Sequence, residues 1–136
     1  MNEDYIPSQI ILDYYSNPVN YGKLKKYDLT ITGKNSDCVD IITFYLQLSK
    51  DKKTIQKISF EHSGCVISKA GGCITTELVI NKKISEILSI SPETLINNLG
   101  GVLKTRIKCA YLSINLLKKG LSDFLKKETF SKKFFL

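Results

Sequence analysis

From Asp28 onward the hydrophobic pattern of this chain changes period at Ser63-Gly64-Cys65, and that switch separates a sheet-forming stretch from a helix-forming one. Upstream, Leu29 and Ile31 alternate with Asp28, Thr30 and Thr32, which predicts a first strand over 28–32, followed by a loop over 33–36. A second strand is expected over 41–48. The charged turn 50–53 then leads into a third over 54–62, with Ile58 and Phe60 on one face and Lys57, Ser59 and Glu61 on the other. Three consecutive strands with short connections predict an antiparallel meander.

Downstream the period is helical. Residues 65–80 have the length and apolar content of a helix, and the Gly71-Gly72 pair predicts close packing of this helix against another backbone. Ser91-Pro92 supplies an N-cap and a first-turn proline for a helix running to about Leu99, where Gly100-Gly101 ends it. Ile107, Ala110, Tyr111, Ile114 and Leu117 form one stripe of a helix over 105–119, with Gly120 expected as its stop. A further short amphipathic helix is expected beyond it, through Leu121, Phe124 and Leu125. Near the N-terminus, Pro7 and Ser8 open a short helical pattern, Ile6/Ile10/Ile11/Tyr14, that Asn17-Pro18 closes. The expected class is α+β, a three-stranded antiparallel sheet packed against several helices.

Charge and composition narrow the function. The net charge is +7, but nineteen of the twenty basic residues are Lys and only Arg106 is Arg. The bidentate fork that reads guanine or phosphate is thus nearly absent, and a nucleic-acid partner is not expected. No apolar run approaches the ~18 residues of a membrane span, so no membrane partner is expected either. The acidic, polar start lacks the features of an export signal, which makes a cytoplasmic location the expectation. The lysine-rich end, 118–136, carries +4 of the excess and reads as a solvated helix face or a docking tail.

In such a compartment four cysteines are better suited to thiolate or metal chemistry than to disulfides. Cys38 lies in the first inter-strand loop, and Asp40, two residues on, points the same way in extended chain. Cys65 falls where the third strand turns into a helix. Cys109 falls in the first turn or so of another helix, beside Lys108 and near Arg106; a helix N-terminus and adjacent cations both favour thiolate. Three such element ends can converge at one end of the sheet. Cys73 cannot join them, because eight helical residues separate it from Cys65 by about 12 Å, and it reads as core packing. His62, the only histidine, reads as a half-buried strand-end residue; contact with a ligand side chain, or alternate ligation, are the other readings. Three thiolates and a carboxylate suit tetrahedral Zn²⁺ and equally a [2Fe–2S] cluster. Lys34, Lys69, Arg106 and Lys108 are candidates to offset the charge of four anionic ligands.

These residues resemble the U-type iron–sulfur cluster assembly scaffolds (IscU, SufU and the N-terminal domain of NifU). The matching stretches are Asn17-Pro18-x-Asn20-x-Gly22, Asp37-Cys38-Val39-Asp40, Phe60 to Ser68 followed by Thr76-Glu77, and Arg106-Ile107-Lys108-Cys109-Ala110; Phe60 to Ser68 and the Arg106 segment are SufU-like. The resemblance implies a single U-type domain over 1–136, with a motif-bearing core over 14–121 and a basic amphipathic tail over 121–136. It implies Cys38, Asp40, Cys65 and Cys109 as ligands of a transient [2Fe–2S] cluster or iron, with Zn²⁺ as the alternative occupant. Cys109 or Cys38 would accept persulfide, supported by Lys108. The implied partners are a cysteine desulfurase and apo iron–sulfur recipient proteins; monomer and homo-oligomer are both compatible. In an alternative reading the chain is a zinc-dependent persulfide acceptor that activates the desulfurase.

The chain also departs from the pattern. Val39 stands in place of Gly, Lys108 where IscU carries His, and Asn81-Lys82 in place of Gly-Lys. The insertion typical of SufU is missing between Lys82 and Cys109. Residues 100–104 do not match the LPPVK-type chaperone motif, so an Hsp70-type partner is not implied.

Overall fold

A computed structural model describes residues 8–34, 40–102 and 106–135, with side chains through 127. Its elements are α1 (Gln9–Ser16), β1 (Leu29–Lys34), β2 (Ile41–Leu48), β3 (Ile55–Ser63), α2 (Val66–Val79), α3 (Ile84–Leu88), α4 (Pro92–Asn98) and α5 (Ile107–Phe135). The sheet order β1-β2-β3 is antiparallel throughout, as the meander reading requires. Inward residues Ile42, Phe44 and Leu46 of β2 face His62, Phe60 and Ile58 of β3 in register.

The caps follow their sequence signals. Ser8 Oγ accepts from the Ile11 amide at the start of α1 and donates to the Leu99 carbonyl after α4, so one hydroxyl joins two helix ends. Ser91 caps α4, with Pro92 in its first turn. Asn20 (φ +53) and Gly22 (φ +113) shape the turn after α1. That turn docks on β3: Gly22 N–H donates to the Phe60 carbonyl and Phe60 N–H to the Asn20 carbonyl. Asn81, where the family pattern has Gly, adopts φ +62, a conformation that Asn tolerates.

Helix α2 is the centre of the molecule and is buried along most of its length. A Cβ on Gly72 would lie 2.6 Å from the Phe60 ring, and one on Gly71 would lie 3.1 Å from the Ala110 carbonyl oxygen. The glycine pair therefore seats α2 between the sheet and α5. One core cluster joins the inner sheet face to α2, α3 and α5; a second joins α1, α2, α4 and α5.

Three expectations need correction. Gly120 does not stop α5, which continues to Phe135, so the separate tail helix is the same helix. A Cβ on Gly120 would lie 2.6 Å from Ile31, so this glycine is the point where α5 crosses β1. Strand β1 runs on through Gly33 and Lys34, which pair with Ile42 and Ile41, where a loop was expected. The reason is similar: a Cβ on Gly33 would meet Leu116 at 2.4 Å. Helix α3 was not foreseen, since five residues are too short to show a period and Lys83 offers no side-chain cap. Gly120→Ala is expected to lower stability by about 1–3 kcal/mol through overpacking against Ile31, measured by urea denaturation. Helix propensity alone would have made the same change stabilising.

Candidate metal centre

The end of the sheet where β2 begins and β3 ends carries the candidate site. Asp40 immediately precedes β2, Cys65 is the N-cap residue of α2, and Cys109 is the third residue of α5. One ligand atom from each lies within 4.8 Å of the others. Cys38 falls in the 35–39 stretch, outside the described residues, as does Val39.

Asp40 is 1% exposed, and its two oxygens have different neighbours. Oδ1 accepts the Cys65 backbone N–H at 2.7 Å, while Oδ2 lies 3.6 Å from Cys65 Sγ. The helix N-terminus thereby holds the carboxylate and leaves its second oxygen among the sulfurs. Gly64 makes this approach sterically feasible: its φ is +143, and a Cβ there would fall 1.9 Å from Asp40 Oδ1. Two sulfurs and one carboxylate oxygen, grouped this closely and partly shielded from water, suit Zn²⁺ or iron.

His62 is half-buried and its Nε2 lies 2.5 Å from Ser68 Oγ, which makes it a neighbour of the site through Ser68. Burial, and secondarily the charge of Lys69, push the His62 pKa below its ordinary 6.5 against the opposing pull of Asp40. As pH falls through 6.5 the unfolded chain binds a proton that the folded ring resists, so stability declines until the folded ring protonates too. Denaturant midpoints at pH 7.5 and pH 5 are expected to differ less in His62→Gln than in the parent. Cys73 is fully buried, with its thiol pushed up mainly by desolvation, and it takes no part in the trio.

Ser68 was missed as a site residue, although its position three residues after an N-cap cysteine is a signal for contact with that cysteine's backbone. Of the four basic candidates, Lys69 sits between aromatic rings, with its Nζ 4.9 Å from the Tyr15 centroid and 4.7 Å from that of Tyr21. Lys34 and Lys108 line an open cleft of about 510 Å³ between β1 and α5, together with Tyr111, Asn115 and Lys119. Arg106 immediately precedes α5. At the start of the lysine-rich end, Lys118 donates to the Ile90 carbonyl and so anchors α5. Among the described residues no helix is long and apolar enough to cross a membrane.

Comparison with known proteins decides the family. The model for the NifU-like N-terminal domain matches residues 6–131. The chain belongs to this family. Among its relatives is iron–sulfur cluster assembly scaffold protein IscU 1 of Archaeoglobus fulgidus, 32% identical over 88% of this chain and 77% of that protein. The zinc-dependent sulfurtransferase SufU of Bacillus subtilis is 32% identical over 89% of this chain and 92% of that one. The crystal structure of FiSufU from Fervidobacterium islandicum superposes with a TM-score of 0.69 at 27% identity, covering 84% of this chain and 95% of that chain. The N-terminal NifU-like protein of Brucella abortus has a TM-score of 0.70 at 16% identity, covering 88% and 94%, and supports the fold alone. The α+β architecture is thus that of the NifU-like N-terminal family.

Proposed function

We propose that this protein is an iron–sulfur cluster assembly scaffold. It takes sulfur from a cysteine desulfurase, builds a transient [2Fe–2S] cluster on Cys38, Asp40, Cys65 and Cys109, and passes it to apo-proteins. The observation that carries the reading is the meeting of Asp40, Cys65 and Cys109 within 4.8 Å, at the starts of β2, α2 and α5. Cys38, two residues before Asp40, supplies the fourth donor, and the chain works as one domain.

Sulfur transfer follows ordinary exchange chemistry. A site thiolate, at Cys109 or Cys38, attacks the outer sulfur of the desulfurase persulfide; a new S–S bond forms, the old one breaks, and the desulfurase thiolate leaves. Two electrons from an external reductant then release each sulfur as sulfide for the iron. Lys108, exposed beside Cys109, steadies the incoming anionic sulfur. The carboxylate suits a temporary cargo, because it binds iron less firmly than a fourth thiolate would.

Anaerobic incubation with iron, cysteine and a desulfurase is expected to give visible cluster absorption. The Cys38→Ala/Cys65→Ala/Cys109→Ala variant is expected to give none, and equal spectra would refute the scaffold reading. The second reading, a zinc-dependent persulfide acceptor, is favoured by the Arg106-Ile107-Lys108-Cys109 segment and the similarity to SufU of Bacillus subtilis. Its signature is tightly held zinc and desulfurase activation with no cluster uptake.

A further inference from the structure

Beside the trio lies a hydrogen-bonded arm that the scaffold reading does not use. Ser68 is completely buried in the first turn of α2. Its hydroxyl donates to the Cys65 carbonyl at 3.0 Å, lies 2.5 Å from His62 Nε2, and is 3.5 Å from Cys65 Sγ. A hydroxyl has one proton and two lone pairs. With its proton on the Cys65 carbonyl, Ser68 Oγ can only accept from the imidazole, which fixes the neutral ring as the Nε2–H tautomer. The Cys65 thiol proton in turn has two acceptors in reach, Ser68 Oγ at 3.5 Å and Asp40 Oδ2 at 3.6 Å.

Metal binding removes that thiol proton and turns the sulfur into an acceptor. Asp40, as a carboxylate, has no proton to offer it. The Ser68 hydroxyl does, and a rotation about its C–O bond moves the proton from the Cys65 carbonyl to the sulfur while His62 continues to donate to Ser68 Oγ. We propose that His62 and Ser68 form a donor relay, Nε2–H···O–H···S, that withdraws charge from the Cys65 sulfur when it holds a metal. Both are positioning residues acting through Cys65, and the relay rests on the reading of Cys65 as a metal-holding thiolate. Hydrogen bonds to sulfur are among the means by which a protein tunes a metal–thiolate bond.

The probe is Co²⁺ alone, bound to the full chain, with the sulfur-to-cobalt charge-transfer absorption as readout. Ser68→Ala is expected to move this band to longer wavelength, since a sulfur without its donor gives up charge more easily. His62→Phe should move it the same way by less, and His62→Gln, which keeps an N–H donor, should restore most of the parental position. The double variant Ser68→Ala/His62→Phe should lie where Ser68→Ala does, because the histidine acts through the serine. A merely structural role would change the amount of bound cobalt without this ordered shift. Cys65→Ala separates the two levels of inference. If it weakens the band but Ser68→Ala leaves the position unmoved, or if the two relay substitutions add, the relay is overturned alone. If Cys65→Ala leaves the band undiminished, the ligand reading and the relay fall together.

Discussion

Gly64→Ala is expected to weaken Zn²⁺ or Co²⁺ binding by about 10- to 100-fold, the usual effect of disturbing the groups that orient metal ligands. The added Cβ would sit 1.9 Å from Asp40 Oδ1 and 2.8 Å from Asp40 Cα. The second of these contacts is backbone and cannot rotate away, so the carboxylate must leave its hydrogen bond to the Cys65 amide. The φ of +143 adds strain of about 1–3 kcal/mol for an L side chain. Gly22→Ala separates the two effects. Gly22 also has a positive φ, +113, but nothing within 4 Å of its Cβ position. That substitution should cost stability and leave metal affinity unchanged. Competition titration against a chromophoric chelator measures the affinities, and equal affinity in Gly64→Ala would mean that the Asp40–Cys65 clasp does not organise the centre.

Phe60→Ala is expected to destabilise the fold by about 3–5 kcal/mol, as loss of a large buried aromatic ring does. The ring is fully buried, meets Tyr21 edge-on at 5.2 Å and Phe44 at 6.2 Å, and fills the space that Gly72 leaves open. It therefore fastens the turn after α1, strand β3 and helix α2 at one point. Against a total stability of about 5–15 kcal/mol such a loss is severe. Urea denaturation monitored by far-ultraviolet circular dichroism measures it. A change below 1 kcal/mol would show that α2 does not take its position on the sheet from this contact.

How much of this could be read from the sequence varies with the kind of signal. The strands and the long helices were legible because alternation and helical period extend over enough residues to be distinguished. The glycines were ambiguous. Gly71-Gly72 read correctly as a packing contact, whereas Gly120 and Gly33 read as breaks; local chemistry is the same in all of them, and only the partner across the contact, Phe60, Ile31 or Leu116, decides the role. Helix α3 was invisible because its short apolar pair, Ile84 and Ile87, is stabilised by burial and not by local pattern.

The site was legible in part for a similar reason. Asp40, Cys65 and Cys109 each sit at an element boundary that the sequence marks, and convergence followed from the topology. Cys73 was separable from them by helix length alone. Ser68 was not legible as a site residue, because its link to His62 depends on β3 and the first turn of α2 lying side by side, a tertiary fact. Lys69 was read as a charge near the ligands, yet its seat between Tyr15 and Tyr21 arises from α1 and the following turn closing over α2.

X-ray absorption at the zinc edge of protein loaded without oxygen tests the shared centre most directly. Three sulfur neighbours at about 2.3 Å and one oxygen at about 2.0–2.2 Å are predicted. A shell of oxygen and nitrogen alone, or one containing a single sulfur, would contradict it.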